Sequence, residues 1–300
     1  MSIEKQKNYK IAVIGNPGSW STEKLADELY ERTSFRLVVD PAQLAFDMQG
    51  RTLVAGNTDL AELDGLAIKK IGPVYSPDMY NRLEILRFFC SLGKPVFSRP
   101  EMVMMAVNRL SCTVNLQIGN IPMPPTVITE SRDEAVRAVR KFGKAVFKPL
   151  FSSKARGMLL VEDNANCGSA IANFQASGNT AMYIQKMVQI PGRDLGISFL
   201  GGKYIGTYAR RKGNSWNTCT SNGGKYEPCE PDAETINLAS KAQDLFNLDF
   251  TCVDVVETED GPMVFEVSAF GGFRGLYHAC GLNAAGMYAE YIINQLESRQ

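Results

Sequence analysis

Residues 250–268 set two acids into otherwise apolar, β-branched strands: Phe250-Thr-Cys-Val-Asp254-Val-Val-Glu257 and Met263-Val-Phe-Glu266-Val-Ser268. Glu259-Asp260-Gly261 joins them, and a three-residue hairpin loop takes glycine at its last, left-handed position. If Thr258 and Pro262 close that loop, Asp254 falls opposite Glu266 with Cβ atoms about 5 Å apart. Ser268 then lies on the same face, two residues on. Facing carboxylates repel, and burying them is costly without a counter-charge. A Lys or Arg supplies that charge, or a divalent ion does, and Mg²⁺ takes one or two carboxylates plus phosphate oxygens and water. A solvated outer hairpin face is the other arrangement. Val253 and Val255, flanking Asp254, point to burial on both sides of the strand.

At 300 residues and 45% apolar the chain has room for about two domains at ~150 residues each. Strands expected at Lys10–Ile14, Phe35–Val39, Gly65–Ile71 and Pro95–Phe97 alternate with helices at Thr22–Arg32 and Tyr80–Leu92. That alternation predicts a small α/β domain with a parallel sheet over residues 1–98. An α+β body follows in two lobes, 99–188 and 189–300. Its helices are expected at Val103–Ile118, Asp133–Lys141, Asp232–Phe246 and Gly286–Leu296, with Ser131 as an N-cap. Its strands are expected at Thr126–Ile128, Ala145–Lys148, Met158–Glu162, Leu195–Phe199, Lys203–Arg210, Phe250–Val256 and Met263–Val267.

Thirty-two basic residues balance thirty-two acidic ones. Such a chain lacks the field that draws a protein onto nucleic acid or an anionic membrane. No apolar run reaches the ~18 residues of a membrane span. The polar start, Met1 to Lys10, does not read as a signal peptide. Seven scattered cysteines without a CxxC pair fit reduced thiols in a cytoplasm. The single histidine, His278, rules out a two-histidine mechanism, so acid–base and metal work falls to carboxylates and lysines. GxGxxG, GxxxxGK[ST] and GxSxG are absent; Gly15-Asn16-Pro17-Gly18 with Asp40 is a poor match to a dinucleotide site.

Lys148 ends an apolar strand, and the loop Phe151-Ser-Ser-Lys-Ala-Arg-Gly157 follows. Small and basic residues between strands fold over phosphates through backbone N–H groups and charge, or form an ordinary solvated loop. Arg210-Arg211-Lys212 reads as an anion contact or as a wet edge that discourages strand pairing.

The ordered set Lys70-Ile71-Gly72, Lys148, the loop ending at Gly157, Ile184-Gln185-Lys186-Met187-Val188, Asp194, Arg210-Arg211, Asp254 and Glu266-Val267-Ser268 resembles the ATP-grasp enzymes. It is most similar to the RimK-type carboxylate–amine ligases, which include glutamate ligases, and the resemblance covers nearly the whole chain. It implies an ATP-grasp fold: a small α/β domain, then two α+β lobes clamping ATP.

The resemblance carries over residue by residue. Arg109, in place of the family's earlier phosphate lysine, and Lys148 would contact the ATP phosphates. Gln185, Lys186 and Met187 lie on the interlobe segment that meets the adenine, with Lys186 where the family has Glu. Asp194 matches the acid near the sugar. Asp254, Glu266 and Ser268 match the ligands of Mg²⁺ or Mn²⁺, with Ser268 in place of Asn. Lys154 and Arg156 lie in the phosphate loop, which is poorer in glycine than the family's. Asn217-Thr218-Cys219 aligns with the family's Arg-Ser-Asn, so Lys154, Arg156 or Arg274 would replace the missing arginine, with Arg210 neutralising charge. The Phe270–Gly275 turn is expected to face the acceptor. The implied activity is ADP-forming: a carboxylate is activated as an acyl phosphate and an amine displaces the phosphate. The substrates would be small molecules or peptides and the protein cytoplasmic, with self-association common in the family. The changes at Asn217, Cys219 and Ser268 favour an alternative, a nucleotide-binding regulator without ligation; a kinase-like phosphotransferase is the third reading.

Overall fold

A computed structural model describes residues 8–220 and 223–299; positions 1–7 of the polar start lie outside the described residues. The first unit runs β1 (Ile11–Ile14), α1 (Trp20–Thr33), β2 (Leu37–Val39), β3 (Leu44–Asp47), β4 (Thr52–Ala55), β5 (Thr58–Asp59), β6 (Gly65–Ile68), α2 (Asp78–Ser91) and β7 (Val96–Phe97). Its main sheet has the order β2-β1-β6-β7 and is parallel throughout, as the alternating pattern predicts. All four residues of β1 and of β6 are buried, which is why they read as continuous apolar runs. The sequence pattern does not predict the small antiparallel sheet β3-β4-β5. Tertiary packing makes it: Phe46 lies 4.4 Å, centroid to centroid, from Phe88 of α2, and Leu53 is buried.

The single helix expected over Val103–Ile118 is two, α3 (Pro100–Val107) and α4 (Arg109–Ile118). Asn108 is extended between them, and its side chain accepts from the Leu110 and Ser111 N–H groups at 2.9 and 3.1 Å. That cap satisfies donors a continuous helix would use internally, and it makes Arg109 the first residue of a new helix.

The central unit contains β8 (Thr126–Thr129), α5 (Arg132–Phe142), β9 (Lys144–Lys148), β10 (Leu159–Glu162), α6 (Cys167–Ala176) and β11 (Met182–Lys186). Its sheet is antiparallel, in the order β10-β9-β11-β8. Ser131 caps α5, accepting from Glu134 N–H at 3.4 Å. The third unit contains β12 (Arg193–Leu200), β13 (Lys203–Arg211), β14 (Lys225–Pro228), α7 (Ala233–Asp244), β15 (Phe250–Thr258), β16 (Gly261–Ser268), α8 (Phe273–Cys280) and α9 (Ala284–Glu297). Its antiparallel sheet runs β14-β13-β12-β15-β16.

Strand periodicity separates core from cleft. Leu195, Ile197, Phe199, Val253 and Val255 enter a core shared with α2, α3 and the first sheet, so those parts are one packed body. Ala145, Phe147, Met182 and Ile184 enter a separate core under α5 and α6. The alternate residues, among them Val146, Lys148, Gln185, Asp194 and Asp254, line the space between the two bodies. No helix among the described residues is long and apolar enough to cross a membrane.

Candidate active site

The acidic hairpin reaches its register by an unexpected route. Its loop has two residues, Glu259 and Asp260, with Thr258 paired to Gly261, one residue tighter than the three-residue loop the sequence suggests. A bulge between Asp254 and Val255 then inserts Phe265 and returns Asp254 to a position opposite Glu266. The extra residue puts Phe265 in the cleft wall beside Glu266, with its ring 5.2 Å from Lys148 Nζ.

The acids are arranged around two arginines. Arg210 lies opposite Asp194 on β13 and β12 and grips it with both arms, Nε to Oδ1 at 3.1 Å and Nη2 to Oδ2 at 2.6 Å. The same Nη2 is 3.0 Å from Asp254 Oδ1. Burial works against the Arg210 charge, and the two acids outweigh it, so the pKa rises further. Burial raises the Asp254 carboxyl; Arg210 opposes this, and Glu266 and Asp194 add to it. Arg109 reaches Glu266 Oε2 from Nη1 at 2.9 Å, the Pro149 carbonyl from Nε at 3.1 Å and Ser152 Oγ from Nη2 at 3.3 Å. Lys148 Nζ donates to Gln185 Oε1 at 2.6 Å, and Gln185 Nε2 donates to Thr126 Oγ1 and to the Tyr183 hydroxyl. Burial, then the charge of Arg109, lowers Lys148 to about 7.

These groups line one cleft of about 380 Å³. It brings together Arg109, Lys148, Lys154, Gln185, Lys186, Met187, Asp194, Arg210, Asn217, Thr218, Cys219, Asp254, Glu266 and Ser268. Two expected residues are not in its lining. Arg156 is exposed on the loop, two residues past Lys154. Arg274 is exposed on α8, its guanidinium carbon 5.2 Å from the centre of the Trp20 ring, on a face that turns away from the cleft. The reason is that the expected turn becomes helix from Phe273 onward, leaving only Phe270, Gly271 and Gly272 in the wall. Gly272 and Gly275 of that segment, with Gly196 on β12, make room for Tyr208: a Cβ on any of the three would come within 2.6 Å of that side chain. Sequence reasoning missed Phe265, Trp216, Tyr226 and Lys70 in the lining. Only Lys70 carried a signal, in the Lys70-Ile71-Gly72 step.

Asp254 and Glu266 each give one oxygen to an arginine, and Asp254 Oδ2 and Glu266 Oε1 accept no bond from the described residues. Two such oxygens facing one cleft suit a hard divalent cation. Among the described residues no three His, Cys, Asp or Glu side chains gather into a metal cage. The set therefore fits a metal completed by phosphate and water.

Among proteins of known sequence, a tetrahydromethanopterin:alpha-L-glutamate ligase of Methanocaldococcus jannaschii is 31% identical over 80% of this chain and 82% of its own length. Its counterpart in Methanosarcina acetivorans is 27% identical over 94% of this chain and 98% of its own. The ATP-grasp ligase PsnB, solved with a phosphomimetic precursor variant, Mg and ADP, superposes with a TM-score of 0.74. It covers 97% of this chain and 99% of its own at 17% identity. The RimK-like ATP-grasp domain matches residues 106–292. The chain belongs to that family of ATP-grasp proteins and is a carboxylate–amine ligase.

Proposed function

We propose that the protein joins an α-amino acid, glutamate as the amine donor, to a carboxylate on a small molecule or peptide. The names of the relatives support the donor, and the facing pair Asp254 and Glu266 beside Lys148 carries the reading. The division into 1–98, 99–188 and 189–300 belongs to the same proposal, with ATP between the last two units.

Asp254 and Glu266, with the Ser268 hydroxyl, would hold Mg²⁺, which when bound neutralises phosphate oxygens. Lys148, Arg109 and Arg210 supply the remaining positive charge around the phosphates. Adenine recognition falls to the backbone at the end of β11. The Lys186 and Met187 N–H groups are taken by the carbonyls of Pro125 and Lys144. An antiparallel pair of this kind exchanges two bonds, yet Pro125 has no N–H to return, so the Lys186 carbonyl is left for the adenine amine.

The substrate carboxylate oxygen forms a bond to the γ-phosphorus as the bond to the β–γ bridging oxygen breaks, and ADP leaves. The amine nitrogen then bonds to the acyl carbon, phosphate leaves, and the amine gives up a proton. The loop from Phe151 to Gly157 would exclude water from the acyl phosphate. Lys154 and Ala155 hold left-handed backbone there, at φ 58 and 56, a conformation that glycine adopts more readily.

The test is ADP release with Mg²⁺ and glutamate over a panel of carboxylates. The reading predicts release that requires both substrates and an amide product. Nucleotide binding without substrate-stimulated release, or a stable phosphorylated product, would contradict it.

A further inference from the structure

Two consecutive lysines follow β6 of the first sheet, and they do different things. The backbone N–H groups of Lys69 and Lys70 both donate to the Ile14 carbonyl, at 2.8 and 3.1 Å, fixing the end of β6 against β1. Lys69 turns inward: Nζ donates to the carbonyls of Phe270 at 2.7 Å and Gly271 at 3.1 Å, and it lies 3.6 Å from the Phe273 ring centroid. This ties the first unit to the turn that follows the acidic hairpin. Lys70 reaches the cleft instead, with Nζ 5.3 Å from the Phe270 centroid, and Tyr75 meets the same ring edge-on at 6.2 Å. Lys70 and Tyr75 are the residues of the first unit in the cleft lining.

The other deep cations of the cleft are engaged: Arg109 with Glu266, Arg210 with Asp194 and Asp254, Lys148 with Gln185. Among the described residues the Lys70 ammonium makes no hydrogen bond or ion pair, although the residue is only partly exposed. Burial, and then the charge of Lys154 on the phosphate loop, lowers it to about 8. An ammonium in the cleft wall that has no hydrogen-bond or ion-pair partner among the described residues and rests over an aromatic face makes a site for an anion.

We propose that Lys70 anchors the acceptor's reacting carboxylate, between the Phe270 ring and the phosphate loop, so that the first unit selects the acceptor. The inference rests on the ligase reading above. The acceptor rather than the amine donor is assigned because Lys70 lines the same cleft as the phosphate loop and the Asp254–Glu266 pair, where a carboxylate that is to be phosphorylated has to lie.

The probe is N-acetyl-L-glutamate, a carboxylate whose amine is blocked, titrated into the full-length protein with saturating MgADP. Intrinsic fluorescence of a Trp20→Phe background, in which Trp216 of the same cleft is the remaining tryptophan, reports binding; L-glutamate is titrated separately. Lys70→Met and Lys70→Gln should weaken N-acetyl-L-glutamate about tenfold or more, the scale of a lost charge-assisted hydrogen bond. Lys70→Arg should restore most of the affinity, and MgADP binding should be unchanged in all three. The proposal is overturned if the probe fails to bind the wild type or binds the neutral variants equally well. A loss confined to L-glutamate, or an equal loss of MgADP affinity, overturns it as well. Failure of the wild type to bind MgADP at all would instead contradict the ligase reading.

Discussion

Arg109 Nη1 donates to Glu266 Oε2 at 2.9 Å across 157 residues of sequence. The same guanidinium holds the Pro149 carbonyl and Ser152, so one side chain ties the α3–α4 break, the root of the phosphate loop and the acidic strand together. The Arg109 side chain is 7% exposed and that of Glu266 is 41%, so the ion pair is partly screened and the fork geometry matters more than the charge. Arg109→Lys should therefore cost about 1–2 kcal/mol in urea unfolding although the charge is kept. Unchanged stability would show that the fork is dispensable.

Arg210 is the stronger case. Its side chain is 17% exposed and stands between Asp194, at 6%, and Asp254, at 17%. Arg210→Met leaves two shielded carboxylates without a counter-charge and should destabilise the fold by about 3–5 kcal/mol. Adding Asp194→Asn and Asp254→Asn to that variant should recover part of the loss. Chemical denaturation of the three proteins decides this.

Gly275 lies inside α8, where alanine would ordinarily gain about 1 kcal/mol. Here a Cβ would lie 2.5 Å from the Tyr208 ring. Gly275→Ala should reverse the usual sign and destabilise by about 1–3 kcal/mol. A stabilised variant would mean that Tyr208 is free to move.

Two acids far from the cleft give opposite pH dependences. Burial raises Asp249 from 3.8 to about 6, against the hydrogen bond its carboxylate accepts from the Tyr291 hydroxyl. The native state then holds more protons than the unfolded chain between pH 4 and 6, so stability falls as pH rises through that window, by up to about 3 kcal/mol. At Glu28 burial is outweighed by bonds from Asn283, Lys24 and Arg32, which hold the carboxyl at about 2, below its usual 4.5. Its contribution is present above pH 4.5 and is lost as pH falls through 2. Unfolding free energies across pH should lose the first slope in Asp249→Asn and the acid limb in Glu28→Gln.

The sequence made the parallel first sheet legible, because β1 and β6 are buried on both faces and read as unbroken apolar runs. It also placed Asp254 opposite Glu266, although the expected loop was one residue too long and the Phe265 bulge compensated for it. Neither the bulge nor the break at Asn108 shows in a period-two or period-3.6 pattern, since each is one residue of irregular backbone fixed by tertiary contacts. The resemblance brings Arg156 and Arg274 into the site as replacements for the family's arginine, which Asn217-Thr218-Cys219 lacks. What sends Arg274 outward is the helical phase of α8, which follows from the fit of Gly272 and Gly275 around Tyr208, a residue more than sixty positions earlier. Lys70 is hard to assign from sequence for a similar reason: a lysine after a strand is usually solvated, and only the packing of the first unit on Phe270 places it in the cleft.

On the proposed function the two hairpin carboxylates act together with the metal-bound nucleotide. The direct measurement is Mg²⁺-dependent ADP release by Glu266→Ala, alongside its circular dichroism and unfolding midpoint. The expected result is a folded protein whose Mg²⁺-dependent turnover is abolished. A folded Glu266→Ala protein that releases ADP at the wild-type rate and with the wild-type Mg²⁺ dependence would contradict it.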